Sequence, residues 1–302
     1  MTDRLKERVA LVTGAGNGIG KAIALQLASE GASVVVNDLG TNVEGEGQDT
    51  SAADGTVAQI LAAGGKAVAS YDSIAESGGC KRAVAKAVEA FGVCDILVAN
   101  AGALSRTASL GLRSGDEDWQ RLLDLYLGQK FWLAREALPA MLERGWGRVI
   151  FATSEIARGT QKNPLGAVVL AGGVAMMRDL ASTHAGSGVT FNAYAPGAAT
   201  RTYDHYMAQH RAGLIAAGMT QEQLDQQRQA GPEFISPMVT WLCTEAGAQV
   251  TGEVFGLSGG NISRWNRLED AASLVKSNAG GSALWTLEEL DSLVPRHLIP
   301  RH

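Results

Sequence analysis

The chain has 302 residues with 46% hydrophobic and 19% charged content, a formal net charge of −5, and 37 glycines against 7 prolines. That length carries one large domain with a buried core, and the acidic balance without a basic stripe excludes nucleic acid as the main partner. Neither a signal peptide at Met1–Arg8, nor an apolar run near 18 residues, nor close spacing of Cys80, Cys94 and Cys243 is visible, so the expectation is a cytoplasmic protein without membrane or metal.

Apolar runs then alternate with helical patterns. Arg8–Val12 predicts a strand, Ile19–Glu30 a helix stopped by Gly31, and Ala32–Asn37 a second strand. Ala53–Ala63 predicts a helix, Ala67–Tyr71 a strand, Cys80–Phe91 a helix and Asp95–Asn100 a strand. Asp116–Glu143 predicts one or two helices, Arg148–Thr153 a strand, Gly166–His184 a helix and Val189–Ala193 a strand. Continuous runs such as Val34-Val35-Val36 suit parallel strands buried on both faces. The order predicts an α/β chain: a single-domain Rossmann fold, a doubly wound parallel sheet with helices on both faces. The domain spans 1–265, and a C-terminal extension over 266–302 carries a short helix with a capping-box pattern at Thr286 and Glu289. Gly40–Gly55 is a glycine- and acid-rich insertion. Thr202–Pro232 is a polar excursion off a strand end, placed where a substrate lid would sit.

Between the first strand and helix lies Thr13-Gly14-Ala15-Gly16-Asn17-Gly18-Ile19-Gly20. Glycines there permit a tight turn and let backbone N–H groups approach a pyrophosphate at the helix N-terminus. Asp38, at the end of the second strand with Leu39 beside it, stands where a carboxylate accepts ribose hydroxyls and repels a 2′-phosphate. The predicted cofactor is NAD(H).

These residues, with Asp72 after the third strand, Asn100-Ala101-Gly102 after the fourth and Pro196-Gly197, resemble the short-chain dehydrogenase/reductase superfamily. Val36-Asn37-Asp38-Leu39-Gly40 with its Gly/Glu-rich insertion is similar to the (3R)-hydroxyacyl-CoA dehydrogenase part of peroxisomal multifunctional enzymes of type 2. So are Tyr71-Asp72-Ser73, Pro232-Glu233-Phe234 and Gly252-Glu253-Val254-Phe255. The resemblance implies Asp72 and Ser73 near the adenine, Asn100, Ala101 and Gly102 beside the nicotinamide ribose, and Thr200 near the carboxamide. It also counts Pro196 and Gly197 as cofactor-binding.

The superfamily's proton chemistry uses a Tyr, a Lys one helical turn later, a Ser and an Asn. Ser154 matches the Ser. Alignment through Ala171-Gly172 and Arg178-Asp179-Leu180-Ala181 puts Gly166 at the Tyr position and Leu170 at the Lys position, and Tyr126 stands at the Asn position. Gly166 then leaves a void for substrate, water or Tyr126. Tyr126 and Lys130, at i and i+4, are a candidate displaced acid/base pair on one helix face. Glu155 is another candidate proton carrier; Arg158 and Lys162 could meet an anionic substrate; Tyr203, His205 and Tyr206 open the lid.

Three functions compete on this reading. The first is an NAD(H)-dependent oxidoreductase acting on a hydroxy or keto group of a small molecule, with a CoA thioester or a steroid-like compound as candidates. The second is a silent NAD(H)-binding subunit partnering an active paralogue in a hetero-oligomer. The third is a lyase or hydratase with structural NAD. Resemblance implies a homotetramer or homodimer paired through the helices over Asp116–Glu143 and Gly166–His184.

Overall fold

The computed structural model describes residues 3–104, 108–161, 163–216, 218–226, 230–267, 271–276 and 284–298. The chain runs β1 (Val9–Thr13), α1 (Gly18–Ser29), β2 (Ser33–Asn37), α2 (Ser51–Ala62), β3 (Lys66–Ser70), α3 (Ser77–Phe91) and β4 (Ile96–Ala99). After β4 come α4 (Asp116–Leu122), a π-helical segment (Leu123–Gly128) and α5 (Gln129–Arg144). The second half holds β5 (Gly147–Ala152), α6 (Pro164–Thr183), β6 (Val189–Gly197), α7 (Arg201–Ala216), α8 (Gln221–Gln226), α9 (Ser236–Cys243), β7 (Val254–Ser258) and β8 (Asn261–Arg264).

The eight strands form one sheet in the order β3-β2-β1-β4-β5-β6-β7-β8. All neighbours pair in parallel except β7 and β8, which are antiparallel. Burial on both faces explains the continuous apolar runs: Val34, Val35 and Val36 of β2 and Ile96, Leu97 and Val98 of β4 are fully buried. The sheet order reverses between β1 and β4. Crossovers on either side of that point turn away from each other and leave a crevice at the carboxyl ends of the strands.

Several expected boundaries move. The helix predicted from Ala53 begins at Ser51, shortening the insertion. The region 116–143 is two α-helices joined by the π segment. The strand predicted to end at Ala193 continues to Gly197, taking Pro196 and Gly197 into β6. The helix predicted from Gly166 begins at Pro164, because the Asn163 side chain accepts the Gly166 N–H as an N-cap and proline suits the first turn. By length and hydropathy this α6 could cross a membrane, although the sequence shows no unbroken apolar run of that length; it packs on β6 as a core helix of the sheet. The excursion after β6 contains α7 and α8, while α9, β7 and β8 lie beyond the predicted elements.

The chain divides into two compact units, Met1–Arg264 and Trp265–His302. In the second, α10 (Leu287–His297) starts with the predicted capping box, in which Thr286 and Glu289 exchange side-chain and backbone hydrogen bonds.

The loop leaving β3 is held by a glycine contact at the start of α3. A Cβ on buried Gly79 would lie 1.8 Å from the Ser73 carbonyl oxygen, whereas one on exposed Gly78 would meet only the Arg82 side chain at 3.4 Å. Gly79→Ala is therefore expected to destabilise the fold by about 1–3 kcal/mol in urea denaturation. Gly78→Ala is expected to leave stability unchanged or raise it by up to about 1 kcal/mol.

Candidate active site

The crevice at the sheet's reversal point holds a cavity that gathers residues from across the sequence. Gly14, Asn17, Gly18, Ile19 and Gly20 line it from the first turn and the start of α1; Asp38 and Leu39 from the loop after β2; Asp72 and Ser73 from the loop after β3; Asn100, Ala101 and Gly102 from the loop after β4; and Thr200 from the segment after β6. Pro196 and Gly197, drawn into β6, do not line it.

The glycines here are sterically required. Gly14 (φ +64°) and Gly18 (φ +53°) sit in left-handed backbone. A Cβ on Gly20 would lie 2.1 Å from the Gly14 carbonyl oxygen, and one on Gly14 would lie 2.9 Å from Ala101 Cα. The α1 N-terminus has no side-chain cap from Asn17, so its first-turn N–H groups face the cavity end of the helix, the arrangement that receives anions. Asp38 braces the turn: its Oδ2 accepts the Gly16 N–H and its Oδ1 the Gly40 N–H, each at 2.7 Å. Asp72 accepts from Arg82 Nε at 2.6 Å and from Ser70 Oγ at 3.0 Å.

The far wall is fixed by a buried network. Thr13 Oγ1 accepts the N–H groups of Asn100 and Ala101 at 3.0 and 3.1 Å and donates to Gln129 Oε1 at 3.5 Å. Asn100 Nδ2 donates to the Thr13 carbonyl at 2.8 Å, while Tyr194 donates to Asn100 Oδ1 at 2.7 Å. Gln129 Nε2 donates to the carbonyls of Ala101 and Leu125. Burial pushes the Tyr194 hydroxyl far above its ordinary pKa, so it stays a donor.

None of Ser154, Tyr126 and Lys130 lines the cavity. Ser154 Oγ accepts the Ile156 N–H, capping a short 3-10 turn. The Tyr126 hydroxyl donates to the Ala103 carbonyl, and burial raises its pKa. Tyr126 does lie against the wall: a Cβ on Gly102 would be 3.0 Å from Tyr126 Cε1 and 3.3 Å from its hydroxyl. The expected Tyr126–Lys130 side-chain pair does not form. The intervening π segment widens the turn, and Lys130 Nζ donates to the Tyr126 backbone carbonyl instead. The Lys130 stem packs on Gly173 of α6, where a Cβ would lie 2.9 Å from Lys130 Cδ. Desolvation brings the Lys130 pKa down to about 7.

The expected void at Gly166 is filled by Asn163, whose Nδ2 would lie 2.8 Å from a Cβ on that glycine. Leu170 is buried in an apolar cluster with Leu122, Leu165 and Val169. Glu155 and Arg158 pair with each other at 3.0 Å. Lys162 lies outside the described residues. In α7, His205 Nε2 meets Glu44 Oε1 at 3.1 Å and Tyr206 stacks on His210.

The fold and this cavity define a nicotinamide-dependent oxidoreductase class. A short chain dehydrogenase family profile matches residues 8–211. A short-chain type dehydrogenase/reductase of Mycobacterium tuberculosis is 38% identical over 264 residues, covering 86% of this chain and 85% of that one. Peroxisomal multifunctional enzyme type 2 of Mus musculus is 36% identical over 269 residues, which is 87% of this chain and 34% of the longer protein. The structure of a short chain dehydrogenase from Mycobacterium avium superposes with a TM-score of 0.77 at 31% identity, covering 96% of this chain and 94% of that one. A 7α-hydroxysteroid dehydrogenase complexed with NADH and 7-oxo glycochenodeoxycholic acid superposes at 0.70 with 28% identity, covering 85% and 95%. The chain belongs to the short-chain dehydrogenase family, a family of oxidoreductases acting on hydroxy and keto groups.

Sequence reasoning missed Thr41, Gly45, Arg121, Leu125 and Arg201 among the lining residues. Arg121 and Leu125 share a helix face at i and i+4, but only the fold brings that face to the cavity.

Lys130 gives a pH signature. Its folded-state pKa, about 7, lies below the ordinary lysine value, so between pH 7 and 10.5 the unfolded chain binds the extra proton. The penalty for burying the cation is full below pH 7 and fades as pH rises. Lys130→Met is expected to stabilise the protein most at and below pH 7. In denaturation series that advantage shrinks by roughly 1.4 kcal/mol per pH unit toward pH 10.

Proposed function

We propose that the cavity binds NAD(H) and that the chain is an oxidoreductase of a hydroxy or keto group with a nonstandard proton-transfer site. The observation that carries this reading is the convergence of the glycine turn, Asp38, Asp72 and Asn100–Gly102 on one cavity. The residues fit a dinucleotide: the crowded glycines leave room only for backbone, and the α1 N-terminus suits a pyrophosphate. Asp38 would take the adenosine ribose, Asp72 and Ser73 the adenine end, and Asn100 to Gly102 with Thr200 the nicotinamide end. The cofactor, when bound, supplies hydride transfer.

This chain's own residues then have to orient the substrate and move a proton. Tyr126 is the hydroxyl nearest the Gly102 wall, and it would have to exchange the Ala103 carbonyl for a substrate oxygen. Burial raises its pKa, so the hydroxyl is protonated at neutral pH, as the proton donor to a keto group has to be, but is a weaker acid than an exposed tyrosine. The likeness to peroxisomal multifunctional enzyme type 2, whose dehydrogenase part the sequence resembles, and to a 7α-hydroxysteroid dehydrogenase supports a CoA thioester or a steroid-like keto compound as substrate. Exposed Phe131 on α5 and Val168 on α6 support pairing of these helices in a homo-oligomer.

A second reading, an NAD(H)-binding subunit without turnover of its own, is favoured by the burial of Leu170 in an apolar cluster and by the closed contacts of Ser154 and Lys130. NADH oxidation followed at 340 nm on 3-ketoacyl-CoA and ketosteroid panels separates the two. On the first reading wild type turns over, and Tyr126→Phe loses about 10²–10⁴ in rate. On the second, only the Gly166→Tyr/Leu170→Lys variant turns over. NADH is expected to bind at least about tenfold more tightly than NADPH in calorimetric titration, since a phosphate beside Asp38 is repelled.

A further inference from the structure

The insertion after β2 folds as a strap along one side of the cavity. Asn42 organises its turn, its Oδ1 accepting the N–H groups of Glu44 and Glu46 at 3.0 and 2.9 Å. Leu104 N–H donates to the Val43 carbonyl at 2.8 Å, tying the strap to the chain beyond β4. Two arginines grip the same strap from different elements. Arg121 of α4 donates through Nη2 to the Glu44 carbonyl, and Arg201 at the start of α7 donates through Nη2 to the Thr41 carbonyl at 2.9 Å. Gly45 (φ +80°) is needed beside the first, since a Cβ there would lie 2.9 Å from Arg121 Nη2.

Both arginines line the cavity, and among the described residues neither is paired with a carboxylate. The acids of the same cavity are already engaged, Asp72 with Arg82 and Asp38 with two backbone N–H groups. Arg121 is half-buried and Arg201 exposed, so both guanidinium groups can turn toward an anion that enters the cavity without first breaking an ion pair. Arg201 directly follows Thr200, whose methyl would lie 3.4 Å from a Cβ on Gly18, so its backbone starts next to the N-terminus of α1. A backbone carbonyl is a weaker partner for guanidinium than a phosphate oxygen.

We propose that Arg121 and Arg201 are phosphate-binding residues of this cavity. They exchange the strap carbonyls of Glu44 and Thr41 for the pyrophosphate of an entering dinucleotide, so the strap is released from them as the ligand is gripped. The proposal rests on the NAD(H) reading but concerns residues outside the glycine turn. It assigns part of the affinity to the strap side of the cavity.

The test is a ligand series on wild type, Arg121→Met, Arg201→Met and the double variant. NADH, NADPH and ADP are titrated by calorimetry, and adenosine is followed by ligand-observed NMR. Each single variant is expected to weaken NADH and ADP by about ten- to hundredfold, with adenosine unchanged as the sign that the site is still folded. Raising salt from 0.05 to 0.5 M should weaken NADH binding more in wild type than in the double variant. Unchanged NADH and ADP affinities in both single variants overturn the proposal. So does an equal loss for adenosine, which would mean that the arginines only hold the strap. A loss confined to NADPH assigns the pair to the 2′-phosphate and overturns the pyrophosphate assignment. Wild-type protein that binds adenosine but neither dinucleotide nor ADP overturns the NAD(H) reading and this proposal with it.

Discussion

The geometry of the site hangs on one buried hydroxyl, Thr13 Oγ1 at the end of β1. Parallel strands leave their carboxyl ends without ladder partners just where the sheet reverses, so the loops there have to be pinned by side chains. Thr13 accepts two consecutive N–H groups from Asn100 and Ala101 and passes its own proton to Gln129, while Asn100 reaches back to the Thr13 carbonyl and takes the Tyr194 proton. Four elements, β1, β4, β6 and α5, meet in that network. Each buried partner left unsatisfied costs about 1–3 kcal/mol, so its members hold or fail together.

The same network explains why the π segment persists. A widened turn leaves carbonyls without their regular helical partners, and two buried side chains from the first turn of α5 turn back to meet them. Gln129 donates to the Leu125 carbonyl and Lys130 to the Tyr126 carbonyl. Gln129 also holds Ala101, so the helix irregularity and the cavity wall are one construction. Tyr126 is carried against Gly102 by that irregularity, which is why a simple i, i+4 reading of Tyr126 and Lys130 places the tyrosine well and the lysine badly.

The sheet and the cofactor-side residues were legible because local signals and long-range role coincide. A glycine turn between an apolar run and a helix, or an Asp closing a strand, carries its meaning within a few residues. Pro196 and Gly197 show the limit, since their side of the cavity is built by Thr200 to Thr202 once β6 runs on to Gly197. Asn163-Pro164 is a readable helix start that the alignment from the far end of α6 overlooked, and its side chain fills the space expected to be empty at Gly166. Arg121 and Arg201 had no such signal. A guanidinium beside a cavity is indistinguishable in sequence from one on a solvated helix face, and only the path of the strap brings these two to the same place.

The positive charge of the site has changed sides. The family resemblance expects a lysine on α6 at position 170, facing the cofactor, and the chain has leucine there in an apolar cluster. A lysine does lie between α5 and α6, admitted by Gly173, yet its amine ends on the Tyr126 carbonyl, and desolvation leaves it only partly charged near neutral pH. The guanidinium groups that line the cavity come instead from α4 and α7, across the strap. A fixed charge on that side can attract phosphate, and one of the two, Arg121, also acts on Tyr126, where its charge lowers the tyrosine pKa against the larger effect of desolvation. Burial outweighs that charge and keeps the Tyr126 pKa raised, so the electrostatics of this chain favour holding a nucleotide over speeding proton transfer.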